Sequence, residues 1–230
     1  MRDRYLIVNA DDLGASPGVN RGILEAFERG IVTSASLMVD MPGAARFAAR
    51  AGDAEGLSVG LHATLKNEDA GLLLDTAGCR RELERQLARF EDLLGRAPTH
   101  LDSHHNVHLE PPLRELFEAV ARERGLPLRG FSPAHYYPGF YGQWDGKTHL
   151  EHVSAESLSQ MLNAEVGEGV TEFGCHPGYI GDGFESSYLS EREAEVRTLC
   201  DPSIRARVEE LGIHLINFSE LAGVAGGEGA

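Results

Sequence analysis

The chain has 230 residues, a formal net charge of −15, 42% hydrophobic residues and 25% charged residues. That length and balance allow one substantial core, and α/β barrels of this size are usually single domains. The negative charge argues against a nucleic-acid groove or an anionic membrane surface as the main partner; neutral or cationic small molecules and metal ions remain. The three cysteines, Cys79, Cys175 and Cys200, form no C-x-x-C pair. Such a sparse set fits a reduced cytoplasm. Met1 to Arg4 lead straight into a short strand with no signal-peptide core, and no long uncharged apolar run occurs. The expectation is a soluble cytoplasmic protein.

In chain order, a first strand is predicted at residues 5–9. Ser16-Pro17 opens a helix as cap and first-turn proline, with Val19, Ile23, Ala26 and Phe27 as its apolar stripe and Gly30 as its stop. A second strand is expected at 34–39, an alanine-rich helix to about residue 50, and a third strand at 57–62. Residues 66–78 lack periodicity and read as a loop. A helix follows over 80–94, with Leu83, Leu87, Phe90 and Leu94 on one face. The fourth strand carries the His-rich run, and Pro111-Pro112 starts a helix ended by Gly125. A short fifth strand is placed at 128–131, before an irregular segment at 132–152 rich in aromatics. A helix from Ser154 to about 166, a sixth strand at 171–175, a helix opened by the capping-box spacing Ser190-Glu191-Arg192-Glu193, a last helix at 202–211 and a seventh strand at 213–217 complete the pattern. Residues 1–222 read as a single α/β domain, and the glycine-rich stretch 223–230 as a flexible tail.

Seven strands alternating with helices imply a parallel α/β sheet. The ionisable residues collect at the predicted carboxyl ends of strands, the edge where parallel α/β folds gather catalytic groups. The first strand ends in Asp11-Asp12, the third in His62, the fourth in Asp102-Ser103-His104, the sixth in His176. If these must meet, a closed or nearly closed barrel gathers them best. One Asp and two His converging there form a three-ligand metal site with an open position. His104 ends its strand, and His108 lies four residues on, where a helical turn would bring both to one metal; His104 is favoured, with His108 behind it supporting a ligand or serving as the alternative ligand. Asp102 is read as orienting a ligand imidazole. No G-x-G-x-x-G or P-loop motif is present, so no nucleotide cofactor is expected.

Asn9-Ala10-Asp11-Asp12, Gly60-Leu61-His62, His100 to His108, and Cys175-His176-Pro177-Gly178 occur in this order, and together they resemble the YdjC-like carbohydrate deacetylases, the family of the chitooligosaccharide and hopanoid-associated deacetylases. The resemblance runs from about Tyr5 to Leu221. It implies a distorted, TIM-barrel-like (β/α) barrel of about seven parallel strands, one divalent metal, and hydrolysis of the N-acetyl group of an acetamido sugar with release of acetate. It also implies that members are often homodimers. Residue by residue, Asp12, His62 and His104 match the metal ligands, Asp11 the neighbouring carboxylate that serves as general base, His176 a rim histidine that acts as acid or positions substrate, and Arg192 a substrate contact. Tyr141 and Trp144, in the aromatic segment, are candidate sugar contacts. The mixed donors suit zinc, cobalt, nickel or iron, and the resemblance admits magnesium. Two departures stand out: the segment after His62 is short, and Asn106 interrupts the histidine run. Another metal-dependent amidohydrolase or phosphoesterase, and an inert sugar- or metal-binding regulator, remain as alternative readings.

Overall fold

The computed structural model describes residues 3–67, 71–72, 75–181 and 186–225. The elements, in order, are β1 (Arg4–Leu13), α1 (Pro17–Arg29), β2 (Ser34–Leu37), α2 (Ala44–Ala48), β3 (Ser58–Ala63), the hairpin strands β4 (Lys66–Asn67) and β5 (Gly71–Leu72), α3 (Thr76–Leu94), β6 (Leu101–Ser103), α4 (Pro111–Arg124) and β7 (His135–Tyr137). A second hairpin of β8 (Gln143–Trp144) and β9 (Lys147–Thr148) follows, then α5 (Ala155–Glu165), β10 (Gly169–Cys175), α6 (Ser190–Leu199), α7 (Pro202–Glu210), β11 (Ile213–Leu215) and α8 (Leu221–Ala225).

Seven strands form one sheet in the order β6-β3-β2-β1-β10-β7, with β11 also on β1. Every pairing in it is parallel. The sheet curls into a partial barrel surrounded by helices, as expected. β1 is its axis. Along one edge it pairs with β10 from Arg4 to Ala10, while β11 takes Arg4 to Leu6 and β2 takes Asn9 to Leu13.

Local signals account for most boundaries. Ser16 caps α1 by accepting from the Val19 amide at 3.1 Å. Gly95 and Gly125 close α3 and α4 in the left-handed conformation that glycine adopts without a Cβ penalty. α3 begins four residues earlier than predicted because Asp75 caps it, accepting from the Gly78 amide at 2.7 Å.

Three expectations change. The fifth strand is not at 128–131, where only Leu128 bridges to Leu101 before the chain turns at Gly130, φ +75°. It is β7, inside the stretch expected to be irregular. The Ser190 capping box does not form: no side chain caps α6, and Glu191 is buried with its Oε1 accepting from Thr148 Oγ1 at 2.6 Å. Part of the expected tail is the helix α8; residues 226–230 lie outside the described residues, as do 68–70 and 73–74 of the expected loop at 66–78, whose described part holds the β4–β5 hairpin and the first residues of α3.

The period-2 alternation of strands sorts the barrel into layers. Leu6, Val8 and Ala10 face the helices and join the main core, whereas Ile7 packs with Ala134, Val170, Ile216, Phe218 and Leu221 in a separate cluster. Above that inner apolar floor the buried residues are polar: Asn9, Ser36 and His100, then Asp11, Asp102, Arg129 and Glu172. Burying polar groups is costly unless they are hydrogen-bonded. Their partners define the site.

Candidate active site and metal centre

The adjacent carboxylates of Asp11 and Asp12 line one cavity because β1 is irregular there. Its register with β2 shifts between Ala10 and Leu13, and Asp12 sits at φ +68°. A regular strand would send consecutive side chains to opposite faces, and a bulge re-aims one of them. His105 and Asn106, at φ +56° and +52°, line the same cavity. Non-glycine residues in this region cost of order 1–3 kcal/mol each and are held there only where the surroundings enforce it.

Asp12, His62 and His104 come together, their ligand atoms all within 4.8 Å of one another. Asp12 Oδ1 lies 3.1 Å from His104 Nδ1 and 3.4 Å from His62 Nε2, yet it is buried and no hydrogen bond satisfies it. An orphaned carboxylate oxygen facing two imidazole nitrogens fits a cation-binding pocket, and the donor set of one oxygen and two nitrogens suits a borderline divalent metal. The other oxygen, Oδ2, accepts from Arg192 Nη2 at 2.6 Å. Burial works to raise the Asp12 pKa, but the Arg192 guanidinium and the two imidazoles outweigh it and hold the carboxyl well below its usual range.

His62 is aimed from behind. Its Nδ1 is 2.7 Å from Asp102 Oδ1, leaving Nε2 toward Asp12. Burial opposes charge on this imidazole, but Asp102 and Asp11 overcome it and push its pKa up to about 10. His108 points elsewhere: its Nδ1 is 2.6 Å from Ser103 Oγ and its Nε2 3.2 Å from the Arg129 carbonyl. With both ring nitrogens engaged, and burial driving its pKa down to about 4, it serves the turn after β6 rather than the Asp12 pocket.

Asp11 is gripped by a residue the sequence did not single out. Arg129 is fully buried and donates to Asp11 Oδ1 at 2.7 Å and Oδ2 at 2.8 Å, a bidentate pair. The same guanidinium lies 3.1 Å from Asp102 Oδ2 and 2.7 Å from Glu172 Oε1, with its carbon 4.7 Å from the Tyr136 ring centroid. One side chain therefore joins β1, β6 and β10 through charge. Burial works to raise the Asp11 pKa, but Arg129 and His62 pull it below the usual carboxylate value. Glu172 goes the other way, pushed by burial up to about 7. In the sequence Arg129 appears only as an arginine inside the strand predicted at 128–131.

His176 follows β10, its Nε2 3.8 Å from Asp11 Oδ2. Its backbone amide donates to Glu195, whose pKa burial raises to about 8. The Pro177-Gly178 turn fits closely under α1: a Cβ on Gly22 would lie 2.5 Å from the Gly178 Cα. Burial and Arg192 keep the His176 imidazole mostly neutral, with a pKa lowered to about 4.

Arg192 is buried rather than held out as an arm. Besides Asp12 it donates to the His176 carbonyl at 3.2 Å and the Tyr188 carbonyl at 3.0 Å. Tyr141 is 37% exposed and stacked on Tyr188 at 4.6 Å, the planes 8° apart. Both tyrosines line the cavity, which measures about 530 Å³ and also takes in Asp11, Asp12, His62, His104 and His176. Trp144 is not among its lining residues; it lies on the β8–β9 hairpin, stacked on His149 at 3.7 Å.

The model of the YdjC-like protein family matches residues 5–210. The chain belongs to the YdjC-like family. A carbohydrate deacetylase from Geobacillus stearothermophilus is 39% identical to this YdjC-like protein, over 94% of this chain and 98% of its own length. A chitooligosaccharide deacetylase from Serratia marcescens is 34% identical over 95% and 100%. Among solved structures, a protein of Enterococcus faecalis V583 superposes with a TM-score of 0.82 at 29% identity, covering 95% of this YdjC-like chain and 99% of its own. Among the described residues, no helix is long and apolar enough to cross a membrane.

Proposed function

We propose that this protein is a metal-dependent deacetylase that removes the N-acetyl group from an acetamido sugar or oligosaccharide and releases acetate. The observation that carries the reading is the unsatisfied Asp12 Oδ1 facing His62 and His104, with Asp11 beside it at the floor of a sugar-sized cavity. The substrate class is supported by the relatives, which act on carbohydrates and chitooligosaccharides by name.

Asp12, His62 and His104 would hold the metal, with Asp102 orienting His62. A bound divalent metal polarises the amide carbonyl and makes water a nucleophile near neutral pH. Asp11, which Arg129 keeps ionised, accepts the proton of the attacking water. His176 stands near Asp11 and relays a proton to the leaving nitrogen, so that water and amide leave as acetate and amine. Arg192 holds Asp12 and the His176 turn in register. Tyr141, backed by Tyr188, offers the exposed ring face on which a sugar can stack; Trp144 would reach only a substrate extending beyond the cavity. The sparse cysteines, with no C-x-x-C pair among them, support a cytoplasmic setting.

The direct test is acetate release from a panel of acetamido sugars after chelation, with zinc or magnesium restored singly. Activity that disappears on chelation and returns with one metal is expected; acetate release undiminished by excess chelator would overturn the reading. Asp11→Asn separates an enzyme from an inert binder. Removing a general base typically costs 10²- to 10⁴-fold, so turnover should fall by roughly that factor while zinc stoichiometry holds. Unchanged turnover in that variant would remove Asp11 from the chemistry.

A further inference from the structure

Asp102 is itself held, and the holding groups form a line. Ser36 Oγ lies 2.5 Å from Asp102 Oδ2, 3.1 Å from His100 Nε2 and 2.8 Å from Asn9 Nδ2. His100 Nδ1 is 2.9 Å from Thr99 Oγ1, which is 2.7 Å from Ser58 Oγ. Ser36 and His100 are fully buried.

The proton positions follow by elimination. Asp102 is an ionised carboxylate and only accepts, so the single Ser36 hydroxyl proton goes to it. Asn9 Nδ2 is a donor, because its other contact is an Asp11 oxygen at 2.8 Å. Ser36 has no proton left for His100, so His100 must donate from Nε2. Burial holds the His100 pKa down to about 3, which makes the ring neutral and leaves its Nδ1 as acceptor for the Thr99 hydroxyl. Thr99 in turn accepts from Ser58. Every donor in the line points the same way: Ser58 to Thr99 to His100 to Ser36 to Asp102. His62 Nδ1 donates to the other Asp102 oxygen from the opposite side.

The packing serves this line. The His100 ring stacks on Phe218 with centroids 3.8 Å apart and planes 18° apart, and its other neighbour is Gly60, where a Cβ would lie 2.5 Å from three ring atoms. Gly60 is the glycine of the Gly60-Leu61-His62 motif. A glycine two residues before His62 thus leaves room for the imidazole that supports His62 through Ser36 and Asp102.

We propose that Ser36 and His100 are positioning residues for the metal site, a one-directional hydrogen-bond relay that locks the Asp102 carboxylate and so aims His62 Nε2 at the cation. The proposal rests on Asp12, His62 and His104 holding a metal, and its readouts are binding and proton position rather than acetate release.

The test titrates metal-free protein with Zn²⁺ by calorimetry for wild type, Ser36→Ala, Ser36→Thr and His100→Phe, with circular dichroism confirming that each is folded. Loss of such outer partners typically weakens metal binding 10- to 100-fold. Ser36→Ala and His100→Phe should therefore bind Zn²⁺ about tenfold or more weakly, and Ser36→Thr, which keeps the hydroxyl, should recover most of the loss. A purely structural role would lower the melting temperature without that ordering of affinities. Independently of any variant, the nitrogen-detected histidine spectrum of metal-free wild type at pH 7 should show His100 protonated at Nε2 alone. Wild-type Zn²⁺ affinity in folded Ser36→Ala, or a His100 protonated at Nδ1 instead, would overturn the relay. Failure of wild type to bind Zn²⁺ or another divalent ion would remove the metal reading itself, and with it the relay's role.

Discussion

His62→Ala and His104→Ala, made singly, are expected to abolish both metal retention and acetate release. Each removes one of the two imidazole nitrogens that, among the described residues, face Asp12 Oδ1, and two donors do not make a stable site for a catalytic divalent ion. The expected fall in turnover is at least 1,000-fold, equivalent to about 4 kcal/mol of transition-state stabilisation. His104→Ala is the cleaner variant, because its side chain is 22% exposed where that of His62 is 2% exposed, so truncation leaves less of a cavity. His108→Gln is the control. With both of its ring nitrogens turned to Ser103 and Arg129, it should keep the wild-type metal stoichiometry. The measurements are metal content of purified protein and acetate formed per minute. Full metal occupancy in His104→Ala, or loss of metal in His108→Gln with the fold intact, would reassign the ligands.

Arg129→Met should produce the largest loss of stability. It takes one cation away from three buried carboxyl groups, those of Asp11, Asp102 and Glu172. Breaking a buried pair typically costs 3–5 kcal/mol, because the partner is left charged and uncompensated. For a chain of this size 1 kcal/mol moves the melting temperature by about 2–4 °C, so a drop of roughly 10 °C is expected. Turnover should fall as well, since Asp11 loses the bidentate contact that orients it and keeps it ionised. Arg129→Lys restores the charge but not the planar fork, and should recover part of the stability and little of the turnover. Thermal unfolding of the metal-free proteins checks the first part. A melting temperature unchanged in Arg129→Met would mean that the carboxyls simply take up protons, and that the arginine is not what holds the barrel interior together.

Strand periodicity was informative because it is local. The alternation in the fourth strand places His100 and Asp102 on one inward face, and both are fully buried there. The helix caps at Ser16 and Ser154 and the glycine stops were legible for the same reason: each involves residues within one turn. The family and the reaction class were readable from four short motifs, since the strand ends of a parallel barrel put their side chains on one rim.

What could not be read is whatever depends on which strands become neighbours. Arg129 meets Asp11 118 positions away, and Arg192 meets Asp12 across 180; no window of sequence contains either pair. Nothing local gives His100 a role; its place as Asp102's supporter emerges only when β2 brings Ser36 between them. The spacing admits either His104 or His108, with His104 favoured because it ends its strand, and the turn after β6 gives His108 two partners of its own. The capping box at Ser190 failed because Ser190 lies inside the first turn of α6, with its hydroxyl turned to Glu191, while Glu193 accepts from the distant Ile180 amide. By itself the sequence determined the secondary elements, the inward faces and the residues gathered at the rim, through local sterics and alternation. The tertiary structure alone decided how the buried charges pair, because a buried charge must be neutralised by whatever the chain's long-range register sets beside it.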